Sequence, residues 1–327
     1  MGIRILGTGS YLPEKVLTNS DLTRIVDTSD EWITTRTGIA ERHIAADDEA
    51  VSDMAYHAAM KAIDAAGTTP EEIDGIILCT ISPDHLFPSS ACILQQRLNC
   101  PRAFCFDLQA ACTGLIYALE VAHSMMLSNK KFRKVLVVSS EKLSYITDWT
   151  DRNTCVLFGD GAAALVLGST DNGEDSIIAA SLGADGNHWS KLQVPAGGSR
   201  MPVTQEAIDN HLYCIHMSGQ DVFKLAVSAM ADSCNEALEI AGLTNDDIDW
   251  LVPHQANLRI MKMVANRLSI PIERVYVNVN RYGNTSSATI GICLDEMIRN
   301  GLIKKGQNVL MTAFGGGLTW GSIIIKY

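Results

Sequence analysis

The chain has 327 residues, 47% hydrophobic and 19% charged, enough for two ordinary domains or one large globular unit with a double core. A formal net charge of −11 argues against a general nucleic-acid binder, whose phosphate contacts need a basic surface. Nine cysteines, odd in number and without a C-x-x-C pair, fit a reduced cytoplasmic protein better than a disulfide framework.

In chain order, "MGIRILGTGSYLPE" alternates like a strand, breaks at Gly and Pro, and lacks the apolar core of a secretory signal. No uninterrupted apolar run reaches the ~18 residues of a membrane span, so no membrane association is expected. The segment "AIDAAGTTPEEIDGII" (62–77) reads helix, polar turn, apolar strand. It returns as "ALEIAGLTNDDIDWLV" (237–252), at an offset of 237 − 62 = 175. "KKFRKVLVV" (130–138) returns as "KKGQNVLMT" (304–312), at 304 − 130 = 174. A nearly constant offset marks a duplicated α/β unit, with halves 1–173 and 174–327.

Between those blocks, "FCFDLQAACTGLIYALE" (104–120) passes from strand through small residues into an apolar helix, and Cys112 sits at the change. The helix is apolar almost all round, hence central and buried. A thiol at its mouth sees unpaired amides and the positive dipole end, which can lower its pKa below neutrality. An inert core thiol is the competing reading. Further on, "FGDGAAALVLG" (158–168) matches "FGGGLTWGSII" (314–324) at 314 − 158 = 156, so the first half carries 174 − 156 = 18 extra residues, Ser140 to Leu157. "GDGAAA" imitates a dinucleotide-binding loop, but a strand rather than a helix follows it. "HLYCIH" (His211, Cys214, His216) has no second cluster to complete a metal site.

In the second half, His254 follows a strand and Pro253, opposite Cys79 in the repeat, and polar Gln255 and Asn257 flank it. Alone it reads equally as a hydrogen-bonded structural residue. Asn284 in "NRYGNTSSA" reads alone as turn chemistry. In open α/β folds, sites gather where strands end and helices begin, and Cys112, His254 and Asn284 all lie at such junctions.

Cys112 in "QAACTG", His254 in "PHQANLRI" and Asn284 in "YGNTSSA", in that order on a duplicated unit, resemble the thiolase superfamily. Specifically, the chain resembles the β-ketoacyl-acyl-carrier-protein synthase III family along nearly its whole length, from "GTGSYLPEKVLTN" through "DTSDEWITTRTGI" to "FGGGLTWG". The resemblance implies a five-layered αβαβα fold, a homodimer, and the condensing reaction that starts type II fatty-acid synthesis. It implies that Cys112 takes an acyl group from acyl-CoA, with the Cys112 and Gly316 amides holding the oxyanion. His254 and Asn284 then bind the thioester of malonyl-acyl-carrier protein for decarboxylative condensation. No cofactor or metal is implied, since acyl-CoA is a substrate.

By the same resemblance, Trp32 and Arg152 clasp the CoA adenine with Thr28 and Arg36 nearby, which would give the 18-residue insertion a purpose. Phe87 corresponds to a position that limits the acyl pocket near the dimer interface, pointing to a short primer such as acetyl. Lys224, Arg259, Lys262 and Arg267 offer the acidic carrier protein a basic patch. The long stretch 188–218 departs from the simplest relatives and is expected to shape the pocket mouth. The rivals are a related synthase using another acyl-CoA for a secondary metabolite, a cysteine hydrolase, and a non-catalytic acyl-binding subunit.

Overall fold

The computed structural model describes residues 2–171, 173 and 175–327. In the first half the elements are β1 (Gly2–Tyr11), β2 (Lys15–Thr18), α1 (Asn19–Leu22), α2 (Asp30–Thr37), β3 (Glu41–Ile44), α3 (Val51–Ala65), β4 (Gly75–Cys79), α4 (Ser90–Leu98), β5 (Phe104–Leu108), α5 (Gly114–Ser128), β6 (Lys134–Glu141) and β7 (Gly161–Thr170). The second half continues with β8 (Ile177–Ala184), β9 (Leu192–Gln193), α6 (Gln205–Asp209), β10 (His216–Met217), α7 (Gly219–Ala241), β11 (Trp250–Pro253), α8 (Leu258–Arg267), α9 (Val279–Tyr282), α10 (Ala288–Arg299), β12 (Asn308–Gly315) and β13 (Thr319–Lys326).

One sheet runs β1-β7-β6-β4-β5 and the other β8-β13-β12-β11. The second repeats the first four strands in order and direction. The β6–β4 and β12–β11 pairs are parallel, and the remaining pairs of the shared order are antiparallel. Where β5 closes the first sheet, the second has a single bridge, from Leu251 to Val275. The sheets divide the chain between Thr170 and Ile177; Met1 and Glu174, the first residues of the two halves read from the sequence, lie outside the described residues.

Register corrects the expected insertion. Glu141 faces Gly161 across β6–β7, and Gly315 faces Thr319 across β12–β13, so the last strands are related by 319 − 161 = 158 rather than 156. The first half is therefore longer by 174 − 158 = 16 residues, not 18. The two Phe-Gly pairs are not equivalent: Phe158 lies before β7, bridged to Asn284, whereas Phe314 and Gly315 end β12.

Successive side chains of a strand point to opposite faces, and here both faces are covered. From β4, Ile77 and Cys79 join a core with Leu115, Ile116 and Leu119 of α5, Ile290 and Leu294 of α10, and Val252, Met311 and Ile323 of the second sheet. Ile76 and Leu78 turn the other way, onto Met54 and Ala58 of α3 and Leu94 of α4. Likewise Leu251, Leu310 and Ile324 pack on Met230 and Cys234 of α7 and Val264 of α8. The layers are thus αβαβα, with α5 and α10 between the sheets, as the resemblance implies. Doubly covered strands explain why β4 and β6 read as unbroken apolar runs.

β1 lies so close to α3 that a Cβ on Gly9 would come within 2.3 Å of the Ala58 carbonyl oxygen and 2.6 Å of the Ala62 nitrogen. Backbone cannot yield there as a flexible side chain would. Gly9→Ala is expected to cost about 1–3 kcal/mol by overpacking, read as a lowered midpoint in urea unfolding; a wild-type midpoint would contradict this packing.

Candidate active site

After β5 the chain turns through Ala110–Thr113, with Ala111 in the left-handed region at φ 46°, and α5 starts at Gly114. Cys112 lies in the 3-10 turn ahead of the helix. Thr113 pins the turn, its hydroxyl 2.5 Å from the Ala110 carbonyl and 2.8 Å from the Thr319 hydroxyl. From the other half, Gly315 packs so tightly that a Cβ there would lie 2.6 Å from the Cys112 nitrogen. Gly316, the next residue, starts the turn from β12 to β13.

The expected low thiol pKa is overturned. Burial pushes Cys112 up to about 12; the Ser286 hydroxyl opposes that shift and the Glu141 carboxylate adds to it. Desolvation of the thiolate is the largest of these effects, and a hydrogen bond with its own backbone opposes it. Glu141 is itself fully buried at the end of β6, and burial raises its pKa. Its carboxylate accepts from the Ile81 amide (2.9 Å) and from the hydroxyls of Thr80 (3.1 Å), Ser82 (3.1 Å) and Ser287 (2.7 Å).

His254 extends the ladder beyond β11, its amide donating to the Thr312 carbonyl at 2.8 Å. The imidazole is buried, and burial alone drives its pKa down to about 3, so it is neutral at physiological pH. Its Nδ1 lies 2.7 Å from the Thr289 hydroxyl of α10. Gln255 is a strut: its Nε2 donates to the Pro253 and Tyr276 carbonyls, and its Oε1 accepts from the Asn278 and Val279 amides. Asn257 caps α8 and donates to the Arg36 carbonyl at 3.1 Å.

Asn284 exchanges backbone hydrogen bonds with Leu157 (2.8 Å) and Gly159 (3.0 Å), so the first-half insertion holds it in place. Its Oδ1 accepts from the Ser286 amide at 2.8 Å, which orients the carboxamide and leaves Nδ2 to donate elsewhere.

Cys112, His254 and Asn284 line one cavity of about 640 Å³, together with Trp32 and Arg36. A second, more apolar recess of about 440 Å³ adjoins it and shares Cys112, Phe158 and Leu192. Gly316, Leu143, Trp189 and Ile215 line the recess. The stretch 188–218 thus walls the pocket as well as its mouth. A thiol where a larger cavity meets an apolar recess, with a neutral imidazole and a carboxamide lining that same cavity, suits acyl transfer and enolate stabilisation.

The other expected site residues are scattered more widely. Ser29 caps α2 by accepting from the Trp32 amide, and Gly38 ends the helix at φ 81°, which sets Trp32 and Arg36 on one short helix. Both the Arg36 and Arg152 guanidiniums lie over the Trp32 ring, at 4.7 and 4.9 Å from its centroid. The Trp32 indole is therefore already covered by two guanidiniums of its own chain. The Thr28 hydroxyl is buried without a partner. Phe87 lines neither cavity of its own chain; it is 86% exposed beside Leu86 at 90%. Lys224 and Arg259 line the larger cavity, and Lys262 and Arg267 are exposed along α8. No metal-competent cluster occurs among the described residues.

Residues 106–186 match the family model of 3-oxoacyl-(acyl-carrier-protein) synthase III, and residues 238–327 match the model of its C-terminal part. Among curated relatives, the β-ketoacyl-(acyl-carrier-protein) synthase III of Caldanaerobacter subterraneus is 52% identical, covering 99% of this chain and 97% of its own. That of Xanthomonas campestris is 52% identical over 99% and 98%. The solved 3-oxoacyl-(acyl-carrier-protein) synthase III of Aquifex aeolicus superposes with a TM-score of 0.91 at 46% identity, covering both chains completely. The priming β-ketosynthase of the R1128 polyketide pathway gives 0.91 at 35% identity, over 99% and 96%.

A thiol held near 12 is almost wholly protonated at neutral pH, and its thiolate fraction rises tenfold per pH unit. Iodoacetamide alkylation of Cys112, followed by peptide mass spectrometry, is expected to keep accelerating between about pH 6 and 9. A plateau near neutrality would instead show a preformed thiolate.

Proposed function

Because this chain belongs to the β-ketoacyl-acyl-carrier-protein synthase III family, an acyltransferase that condenses acyl-CoA with malonyl-acyl-carrier protein to start fatty-acid synthesis, we propose that Cys112 is its nucleophile and that His254 and Asn284 carry the decarboxylation. The observation behind this reading is that the three side chains, drawn from both halves of the chain, line a single cavity.

The Cys112 sulfur attacks the acyl-CoA carbonyl, and the amides of Cys112 and Gly316 receive the oxyanion. The thiol's proton leaves with CoA, and the acyl group stays on sulfur, extending into the apolar recess. Malonyl-acyl-carrier protein then places its thioester oxygen between His254 Nε2–H and Asn284 Nδ2–H. Loss of carbon dioxide leaves an enolate whose charge those two donors stabilise as it forms. The enolate carbon attacks the acyl-Cys112 carbonyl, the carbon–sulfur bond breaks to release the β-ketoacyl product, and the Cys112 thiolate takes up one proton from solvent. A neutral imidazole, as burial enforces here, suffices because it donates a hydrogen bond and need not carry charge. No cofactor is needed.

The CoA adenine takes the place of Arg152 over Trp32, with Arg152 swinging outward to close on it, and the phosphates meet Arg36. We assign a homodimer in which the exposed apolar pair Leu86 and Phe87 is covered and Phe87 closes the recess of the other copy, favouring a short primer such as acetyl. No helix among the described residues is long and apolar enough to cross a membrane, in keeping with a cytoplasmic protein. Lys224, Arg259, Lys262 and Arg267 form the docking face for the acidic carrier.

Purified protein given acetyl-CoA and malonyl-acyl-carrier protein is expected to form acetoacetyl-acyl-carrier protein. Cys112→Ser should form none, and His254→Ala or Asn284→Ala should lose about 10²–10³ in rate, the scale of one oxyanion donor. A failure with acetyl-CoA but turnover of longer acyl-CoAs would favour the alternative, a synthase priming another pathway. Lys262→Glu should raise the KM for malonyl-acyl-carrier protein several-fold more than that for acyl-CoA in steady-state assays.

A further inference from the structure

The Thr289 hydroxyl is the hydrogen-bond partner of His254 Nδ1, and it has one proton with two possible takers. One is Nδ1 at 2.7 Å; the other is the Ser286 carbonyl oxygen at 3.1 Å, one turn back in the chain. The destination of that proton decides the chemistry of the ring. If it goes to Ser286, Nδ1 must carry hydrogen to bond Thr289, and a neutral imidazole then presents a bare Nε2 to the cavity. If it goes to Nδ1, the ring hydrogen sits on Nε2, where it can be donated to a substrate oxygen.

Three features favour the second arrangement. The hydroxyl lies closer to Nδ1, at 2.7 Å, than to the Ser286 carbonyl oxygen, at 3.1 Å, so Nδ1 is the better placed of the two acceptors. The Ser286 carbonyl already receives the Thr289 amide at 3.3 Å, so it does not depend on the hydroxyl. Thr289 and His254 are 3% and 4% exposed, which keeps water from competing for Nδ1. We propose that Thr289 is a positioning residue for the condensation: by donating to Nδ1 it fixes His254 in the Nε2–H tautomer that the malonyl thioester oxygen requires. The inference rests on the role given to His254 above and adds the residue that sets its protonation pattern.

The experiment measures the two half-reactions separately: acylation of Cys112 by acetyl-CoA, by intact mass, and carbon dioxide release from malonyl-acyl-carrier protein. Thr289→Val keeps the shape and removes the hydroxyl; Thr289→Ser restores it. Decarboxylation by the Val variant is expected to fall roughly ten- to a hundredfold further than acylation, short of the ~10²–10³ of losing a donor outright, and the Ser variant should recover most of it. Equal losses in both half-reactions, or no recovery with Ser, would overturn the proposal in favour of a packing role. His254→Ala separates the two levels. If it decarboxylates normally, the assignment of His254 fails; if it is impaired while Thr289→Val decarboxylates at the wild-type rate, only the present inference fails. Should the Val variant not fold, the wild type labelled with 15N-imidazole histidine decides. Its His254 Nε2, identified by its loss in His254→Ala, should resonate as a protonated nitrogen, and a bare Nε2 would overturn the proposal.

Discussion

The site depends on how closely the two central helices begin beside each other. A Cβ on Gly114, the first residue of α5, would stand 3.0 Å from the Cys79 Cβ and 3.2 Å from the Ser287 Cβ, just ahead of α10. Such an approach brings the Cys112 turn from one half against the Asn284–Ser287 turn from the other. The contact also buries Glu141, whose carboxylate would be costly without partners. Its hydrogen bonds from Thr80, Ile81, Ser82 and Ser287 fasten the loop after β4 to the start of α10. Duplication supplies two such helix mouths, and the cavity lined by Cys112, His254 and Asn284 lies where they converge.

Depth then fixes the electrostatics. Burial raises Cys112 and lowers His254, so both groups favour their neutral forms. A cysteine hydrolase needs the reverse, a thiolate paired with an imidazolium. The condensation proposed above does not, because in it His254 donates to a substrate oxygen and acyl transfer from a thioester returns a thiol for a thiol. The same shell that disfavours charge on the protein strengthens hydrogen bonds to charge developing on the substrate.

Much of this was legible in the sequence because the governing signals are local. The offsets of 175 and 174 are those of β4 against β11 (250 − 75) and of β6 against β12 (308 − 134). Small residues at strand–helix junctions marked Cys112 and Asn284, and the resemblance joined them to His254. What could not be read depends on three-dimensional surroundings. A helix mouth suggested a low thiol pKa, but desolvation from both halves decides it. Paired Phe-Gly letters gave an insertion two residues too long, since only strand register shows that Phe158 and Phe314 differ in place. Phe87 lies away from its own chain's recess, and Arg152 already rests on Trp32. Glu141 ends the apolar run "KVLVVSSE" as its one acid, a signal that could have flagged it; nothing local distinguishes Thr289 from any helical threonine.

The central claim is that Cys112 carries the acyl group between the two substrates. Intact-mass spectrometry of the protein with acetyl-CoA alone, then after malonyl-acyl-carrier protein is added, tests it most directly. The account predicts one added acetyl group, located at Cys112 and absent from Cys112→Ser, which disappears on the second addition as the β-ketoacyl product forms. No adduct, an adduct that survives replacement of Cys112, or one that malonyl-acyl-carrier protein fails to discharge would contradict it.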